Sequence, residues 1–362
     1  MRAMSVLVKP ASSACTMRCA YCFYRDVAGR RSDAPSVMDE ATVDALIDGV
    51  LAAGDDASVS FDFQGGEPTL AGLDFFKDFV AKVRSRAGRQ RVSYAIQTNG
   101  LAVDDEWAAF LAENRFLVGV SLDGWRGLHD RLRPDAAGRP TYDRVVGAVG
   151  LLRRFGIEPA LLTVLTCELA RHPQRAWRAL GDLQARYVQF IPCVADLDGR
   201  GPHALAPDRF ASFYRGLLDA WERDLERGRY VSVGLFDDVM SLARRVRPRT
   251  CGALGACAPQ FVVEASGDVY PCDFYCLEEN ALGNVRETGF VDMARSPRLE
   301  AFLRARAERP GACDACRFEG MCHGGCRRLS SAFARGDECG YRDFLEYGFD
   351  RLARLAVRPG RR

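Results

Sequence analysis

A chain of 362 residues with 48% hydrophobic content can bury a full core and has room for one large domain and a smaller one. Its 50 Lys and Arg stand against 48 Asp and Glu, a formal net charge of +2, so it carries no electrostatic footprint for nucleic acid or for an anionic membrane. The first ten residues lack the apolar core of a signal peptide, and no apolar run reaches the ~18 residues of a membrane span; a cytoplasmic protein is expected. In that reducing compartment the 14 cysteines read as metal ligands rather than disulfides.

In chain order, Ser5 to Lys9 predicts a first strand, followed directly by a cysteine-bearing loop. A helical pattern runs from Glu40 to Leu51, then a strand from Ser58 to Phe63, where Val59, Phe61 and Phe63 alternate. A helix over Leu73 to Val83 and a strand over Val92 to Ile96 follow. Trp107, Phe110 and Leu111 have helical spacing, Leu117 to Leu122 reads as a strand, and Tyr142 to Phe155 as a helix. Strands near Leu161 to Leu165 and Tyr187 to Ile191 flank a helix holding Trp177 and Leu180. Strands alternating with helices imply βα units and a parallel sheet, and about six units fit an incomplete (β/α) barrel. Beyond a loop at Gly199 to Pro202, Phe210, Phe213, Leu217 and Trp221 form one helical stripe, read as core, with a substrate-docking face as the alternative. A cysteine-rich segment then runs from Cys251 to Cys339. A closing helix is expected over Phe344 to Leu355, and a frayed tail at Arg358 to Arg362.

The first loop carries Cys15-Thr-Met-Arg-Cys19-Ala-Tyr-Cys22. Four-iron clusters are usually closed by four thiolates, so three at this spacing leave one iron open to an external ligand, much as a catalytic metal keeps an open position. Spacing alone also admits a zinc knuckle or three unrelated buried thiols. Three further loops follow strands: Gln64-Gly-Gly-Glu-Pro68, Gln97-Thr-Asn-Gly100 and Ser121-Leu-Asp-Gly124, with Arg133 a few residues on. In the second loop Gly65 and Gly66 let the backbone approach a ligand closely. Loops at the C-terminal ends of consecutive strands are where barrels place their active sites. Downstream, Cys251, Cys257 and Cys272 precede Cys313, Cys316, Cys322, Cys326 and Cys339. These eight thiolates suffice for two closed sites, and in isolation two zinc sites would use them equally well.

The cysteine loop followed by Phe23 and Tyr24 resembles the signature of radical S-adenosylmethionine (SAM) enzymes, and the C-terminal cysteines resemble a SPASM domain with two auxiliary clusters. Lys9-Pro-Ala-Ser-Ser13, Gln64 to Gly72, Gln97 to Gly100, Gln260 to Glu264, Val269 to Phe274 and Gly324 to Arg328 closely resemble the anaerobic sulfatase-maturating enzymes. The resemblance implies an α/β fold: a partial (β/α)6 radical SAM barrel over residues 1–230, a SPASM domain over 231–345, and a closing helix and tail over 346–362. It implies three [4Fe-4S] clusters: one on Cys15, Cys19 and Cys22, one on Cys251, Cys257, Cys272 and Cys326, and one on Cys313, Cys316, Cys322 and Cys339. SAM contacts are implied for Tyr21, Gly65, Gly66, Glu67, Asn99, Ser121, Arg133 and Val194, and the role of base for Asp273.

The implied reaction is oxidation of an active-site Cys, or in some members Ser, of a sulfatase polypeptide to Cα-formylglycine, with a flavodoxin- or ferredoxin-like electron donor. Two other readings compete: a radical SAM enzyme that crosslinks a small precursor peptide, and a zinc-bound module without catalysis. Cys167, Cys193 and Cys276 fall outside all three ligand groups. Trp125 stands where a proline is common in the family, and the stretch from Asp196 to Leu205 diverges from it.

Overall fold

The computed structural model describes residues 3–31, 37–305 and 310–357; the expected tail at Arg358 to Arg362 lies outside them. Ten strands carry most of the architecture: β1 (Ala3–Val8), β2 (Ser58–Phe63), β3 (Arg91–Thr98), β4 (Leu117–Ser121), β5 (Ala160–Leu165), β6 (Tyr187–Pro192), β7 (Ser232–Val233), β8 (Val262–Val263), β9 (Asp268–Tyr270) and β10 (Gly283–Asn284). The chain forms two compact units, each assembled from separated stretches. One comprises Met1–Ser121, Arg133–Pro159 and Pro259–Ala305; the other Leu122–Leu132, Ala160–Ala258 and Arg306–Arg362.

In the first unit the strands run β10-β9-β8-β1-β2-β3-β4. The pairs β1/β2, β2/β3, β3/β4 and β1/β8 are parallel, while β9 and β10 add antiparallel edges. The βα alternation dictates this, because a parallel neighbour needs a helical crossover. Helices Glu40–Leu51 and Leu73–Arg86 supply two of them. The first is capped by Asp39, whose carboxylate accepts from the Thr42 amide, which satisfies an otherwise orphaned donor. Phe61 and Phe63 of β2 are buried against Phe76 and Phe79, with ring centroids 4.8–5.1 Å apart. Each such ring contributes about 1.5–3 kcal/mol by leaving water.

The second unit holds the parallel strands β5-β6-β7. Its long helix Pro207–Glu226 starts with Pro at the first turn and buries Phe210, Phe213, Leu217 and Trp221, so the aromatic stripe is core. The closing helix Gly340–Val357 lies against it: a Cβ on Gly340 would meet the Pro207 carbonyl oxygen at 1.9 Å, and Arg351 pairs with Asp219 and Glu222.

The expected helices at Glu40 and Leu73 begin where predicted, the latter running three residues further to Arg86. Among the α-helices that were not expected are Phe23–Ala28, Arg126–Leu132 and Gly234–Ala243, together with Phe290–Ala294, Pro297–Arg304 and Glu319–Cys322 in the cysteine-rich segment. The first two are a turn or two long, too short to show a period in sequence.

Candidate functional site

In the first unit the loops at the C-terminal ends of β1, β2 and β3 meet, with the stretch from Arg133 to Ala136 against the first of them. Cys15, Cys19 and Cys22 are free thiols, each partly exposed, on the loop between β1 and helix Phe23–Ala28. The loop is clamped on one flank by Arg18 N–H on the Pro134 carbonyl (2.9 Å) and Ala136 N–H on the Thr16 carbonyl (2.9 Å). On the other flank, Gly66 N–H donates to the Ser12 carbonyl and Glu67 N–H to the Ala14 carbonyl, both at 2.8 Å. The glycines are required here: a Cβ on Gly66 would meet the Ala14 oxygen at 2.1 Å, and Gly65 sits at φ +124°. The two amides at 66 and 67 are therefore spent on the cysteine loop, which leaves carbonyls to face a ligand.

Glu67 is 1% exposed, and its carboxylate accepts from Thr69 N–H (3.2 Å), Thr69 Oγ1 (2.7 Å), Thr98 Oγ1 (2.7 Å) and Asn99 N–H (2.7 Å). Burial pushes its pKa up in spite of these four donors. The side chain expected among the cofactor contacts thus ties the β2 loop to the β3 loop. Asn99 completes the link, its Nδ2 donating to Thr16 Oγ1 at 2.9 Å and lying 3.7 Å from Cys15 Sγ. Arg133, 7% exposed, donates to the Tyr21 hydroxyl at 2.8 Å, and Ser121 Oγ accepts from Gln97 Nε2 at 2.9 Å. Cys15, Tyr21, Gly66, Glu67, Asn99 and Arg133 therefore lie on or beside the cysteine loop, while Ser121 is tied to β3 through Gln97.

Asp273 lies on a one-turn helix, Asp273–Tyr275, directly after Cys272. Its Oδ1 is 2.9 Å from Lys9 Nζ, the Tyr24 hydroxyl reaches both carboxylate oxygens at 2.5 and 2.6 Å, and Gln64 Nε2 donates to Oδ2 at 2.9 Å. Lys9 is fully buried and also meets Glu264 Oε1 at 3.0 Å, Cys276 Sγ at 3.3 Å and the Tyr24 ring at 4.3 Å. Burial alone would lower the Lys9 ammonium, but Asp273, Cys276, Tyr24 and Glu264 outweigh it and hold its pKa well above the ordinary value. Burial and the Asp273 charge raise Tyr24. Burial would raise Glu264, yet Lys9 and Arg31 bring it below the usual carboxylate range. The Cys276 thiol is pushed up to about 12, by burial first, so it stays neutral. Of this cluster the sequence reading assigned only Asp273. The overlooked signal was charge at the ends of buried strands: Lys9 follows Val6-Leu-Val8 and Glu264 follows Val262-Val263, and a buried charge requires a partner.

In the second unit, Cys313, Cys316, Cys322 and Cys339 line one cavity with Phe318, Phe333, Tyr341 and Leu345. Cys251, Cys257 and Cys326 gather elsewhere in that unit, near enough that burial and the other two thiols raise the pKa of Cys251. Gly252 makes the approach possible, since a Cβ there would meet Cys326 Cβ at 2.6 Å. Among the described residues no three His, Cys, Asp or Glu side chains converge on a point fit for a single metal ion. Four thiols spread around a cavity suit a polynuclear iron–sulfur cluster, in which each thiolate holds a different iron. Val194 is half-buried on the loop after β6, and the neighbouring Ala195 carbonyl accepts from Arg328 Nη2 at 2.5 Å. Trp125 packs under Arg175 at 4.0 Å and edge-on to His172 at 5.7 Å.

The Radical SAM superfamily profile matches residues 10–167, and the SPASM profile, an iron–sulfur cluster-binding domain, matches residues 256–317. The chain is 36% identical to the cysteine-type anaerobic sulfatase-maturating enzyme of Clostridium novyi (strain NT), over 91% of this chain and 89% of that one. It is 29% identical to the serine-type enzyme of Bacteroides thetaiotaomicron, over 89% and 82% of the two chains. The solved structure of native anSMEcpe with bound AdoMet superimposes with a TM-score of 0.90 at 33% identity, over 98% of this chain and 99% of that one. A three-thiol loop backed by a glycine turn, a thiol-lined cavity of the SPASM kind and agreement over nearly the whole length converge on one assignment: the chain belongs to the anaerobic sulfatase-maturating enzymes.

Proposed function

We propose that this protein oxidises an active-site Cys of a sulfatase polypeptide, or a Ser at the same position, to Cα-formylglycine. Cys is the expected target because identity to the cysteine-type relative, 36%, exceeds the 29% to the serine-type one. The observation that carries the reading is the pairing of an open three-thiol loop with a buried carboxylate, Asp273, whose every oxygen is held by named donors. Cys15, Cys19 and Cys22 would hold the cluster that binds SAM, and the eight C-terminal thiols two auxiliary clusters. Bound there, these groups supply one-electron chemistry that takes a hydrogen atom from the target residue and accepts the electron that follows.

The residues of this chain do the remaining work. Tyr21, Arg133, Asn99, Ser121 and the Gly65-Gly66-Glu67 turn shape and orient the SAM site. Asp273 takes the thiol or hydroxyl proton of the target, a role that requires hydrogen-bond reach of that proton. Tyr24 and Gln64 hold the carboxylate in one orientation. Burial around Lys9 and Glu264 keeps that side of the site dry, which protects a reactive species from water. An electron donor of the flavodoxin or ferredoxin kind would supply the first electron; residues 1–230 would form the barrel and 231–345 the auxiliary-cluster domain.

The test is anaerobic reconstitution with iron and sulfide, then incubation with SAM, a reductant and a Cys-x-Pro-x-Arg peptide beside its Ser counterpart. Loss of one sulfur and two hydrogens with gain of one oxygen is expected for the Cys peptide. For the Cys peptide, loss of two hydrogens alone would indicate a crosslinking enzyme instead; for the Ser peptide that same loss is the expected formylglycine.

A further inference from the structure

Behind Asp273 lies a set of buried charges that no step above uses. Lys9 Nζ bridges two carboxylates, Asp273 Oδ1 at 2.9 Å and Glu264 Oε1 at 3.0 Å, and Arg31 Nη1 also reaches Glu264 Oε1, at 2.7 Å. Two cations and two anions leave the group neutral. Its outer half is anchored to the sheet: Lys9 N–H donates to the Val263 carbonyl at 2.9 Å, just past the β1/β8 pairing, and Glu264 N–H donates to the Asp268 carbonyl at 3.0 Å. Asp273, by contrast, rides on a single helical turn. A side chain on rigid strands can hold one on a loop more closely than the loop holds it. Among the described residues Lys9 is also the one donor specific to Oδ1, since the Tyr24 hydroxyl is shared between both oxygens and Gln64 serves Oδ2.

We infer that Lys9, fixed in turn by Glu264, is the positioning residue that sets the Asp273 carboxylate for proton removal. The inference rests on Asp273 being the base and goes one layer behind it. Lys9 itself is fully buried and touches no peptide, so its loss acts on turnover rather than on substrate binding.

The experiment compares three reconstituted holoenzymes: Lys9→Met, the double variant Lys9→Met/Glu264→Gln, and Asp273→Asn. Removing Lys9 alone leaves an unbalanced carboxylate and threatens folding; the double variant restores neutrality. For the double variant we expect unchanged iron content, unfolding temperature and peptide KM, with kcat for peptide oxidation lower by about 100-fold, the scale of a misplaced catalytic group. The amount of 5′-deoxyadenosine formed per peptide oxidised should rise by about tenfold on the same argument. A double variant that retains half of the normal kcat would show that Lys9 only balances Glu264, and one that loses iron or unfolds would make Lys9 structural; either overturns the inference. If Asp273→Asn itself keeps normal turnover, the base assignment fails and this role with it. Loss in Asp273→Asn but not in the double variant refutes the positioning role alone.

Discussion

Three thiols stand partly exposed on one loop after β1, whereas four others line a cavity walled by Phe318, Phe333 and Tyr341, three of these four buried. The first group is held from outside, by a glycine turn whose amides bond to its backbone and by Asn99 beside Cys15. The second is held from within, by aromatic side chains and by a local fold that returns to it four times. Burial pushes the Cys322 thiol up to about 11, so metal binding there must displace a proton and is coupled to folding. On the proposed function the contrast is a division of labour: the open group of three would serve a reactant, and the enclosed group of four would serve electrons alone.

The sharpest way to break that comparison is to remove the open site. Replacing Cys15, Cys19 and Cys22 with Ala should abolish SAM cleavage and reduce iron from about twelve to about eight per chain, three four-iron clusters becoming two. Undiminished 5′-deoxyadenosine formation, read by chromatography, would refute the assignment. Next in size is Asp273→Asn, which should keep its iron and lower peptide conversion by about 100- to 10,000-fold; a variant with half of normal formylglycine production would make Asp273 structural.

A smaller effect is expected from Gly66→Ala. The added methyl must push against the Ala14 backbone oxygen, 2.1 Å away, and overpacking of this kind costs about 1–3 kcal/mol. Thermal unfolding should register it, along with loss of iron from the open site and not from the C-terminal ones. The least effect belongs to Cys167→Ser. That thiol lies in neither thiol group, and its Sγ bonds the Pro202 carbonyl at 3.4 Å, so iron content should stay at about twelve; a loss of four irons would redraw the ligand sets.

The βα order was legible because Val59, Phe61 and Phe63 alternate and Phe76, Phe79 and Val83 recur at helical spacing, so both periods survive in the one-dimensional string. Cluster ligands were legible because cysteine is scarce and its spacing is local. What escaped was the surroundings of Asp273. Lys9, Tyr24 and Arg31, Gln64, and Glu264 come from four separate stretches, at the ends of β1, β2 and β8 and on or just after helix Phe23–Ala28, and nothing local announces that a lysine at position 9 will meet carboxylates at 264 and 273. The turn at Gly65-Gly66 reads from sequence as a close approach, and the structure shows one partner of it: the amides of Gly66 and Glu67 bond to the cysteine loop, a partner the glycines alone do not name.

The central claim is that a hydrogen atom leaves Cβ of the target residue at a site organised by the open thiol loop and Asp273. The most direct measurement is a single turnover with a Cys-x-Pro-x-Arg peptide deuterated at Cβ of the Cys. Deuterium in the 5′-deoxyadenosine and formylglycine in the peptide are expected. Formylglycine without deuterium transfer, or deuterium in 5′-deoxyadenosine only when Cα is labelled, would contradict it.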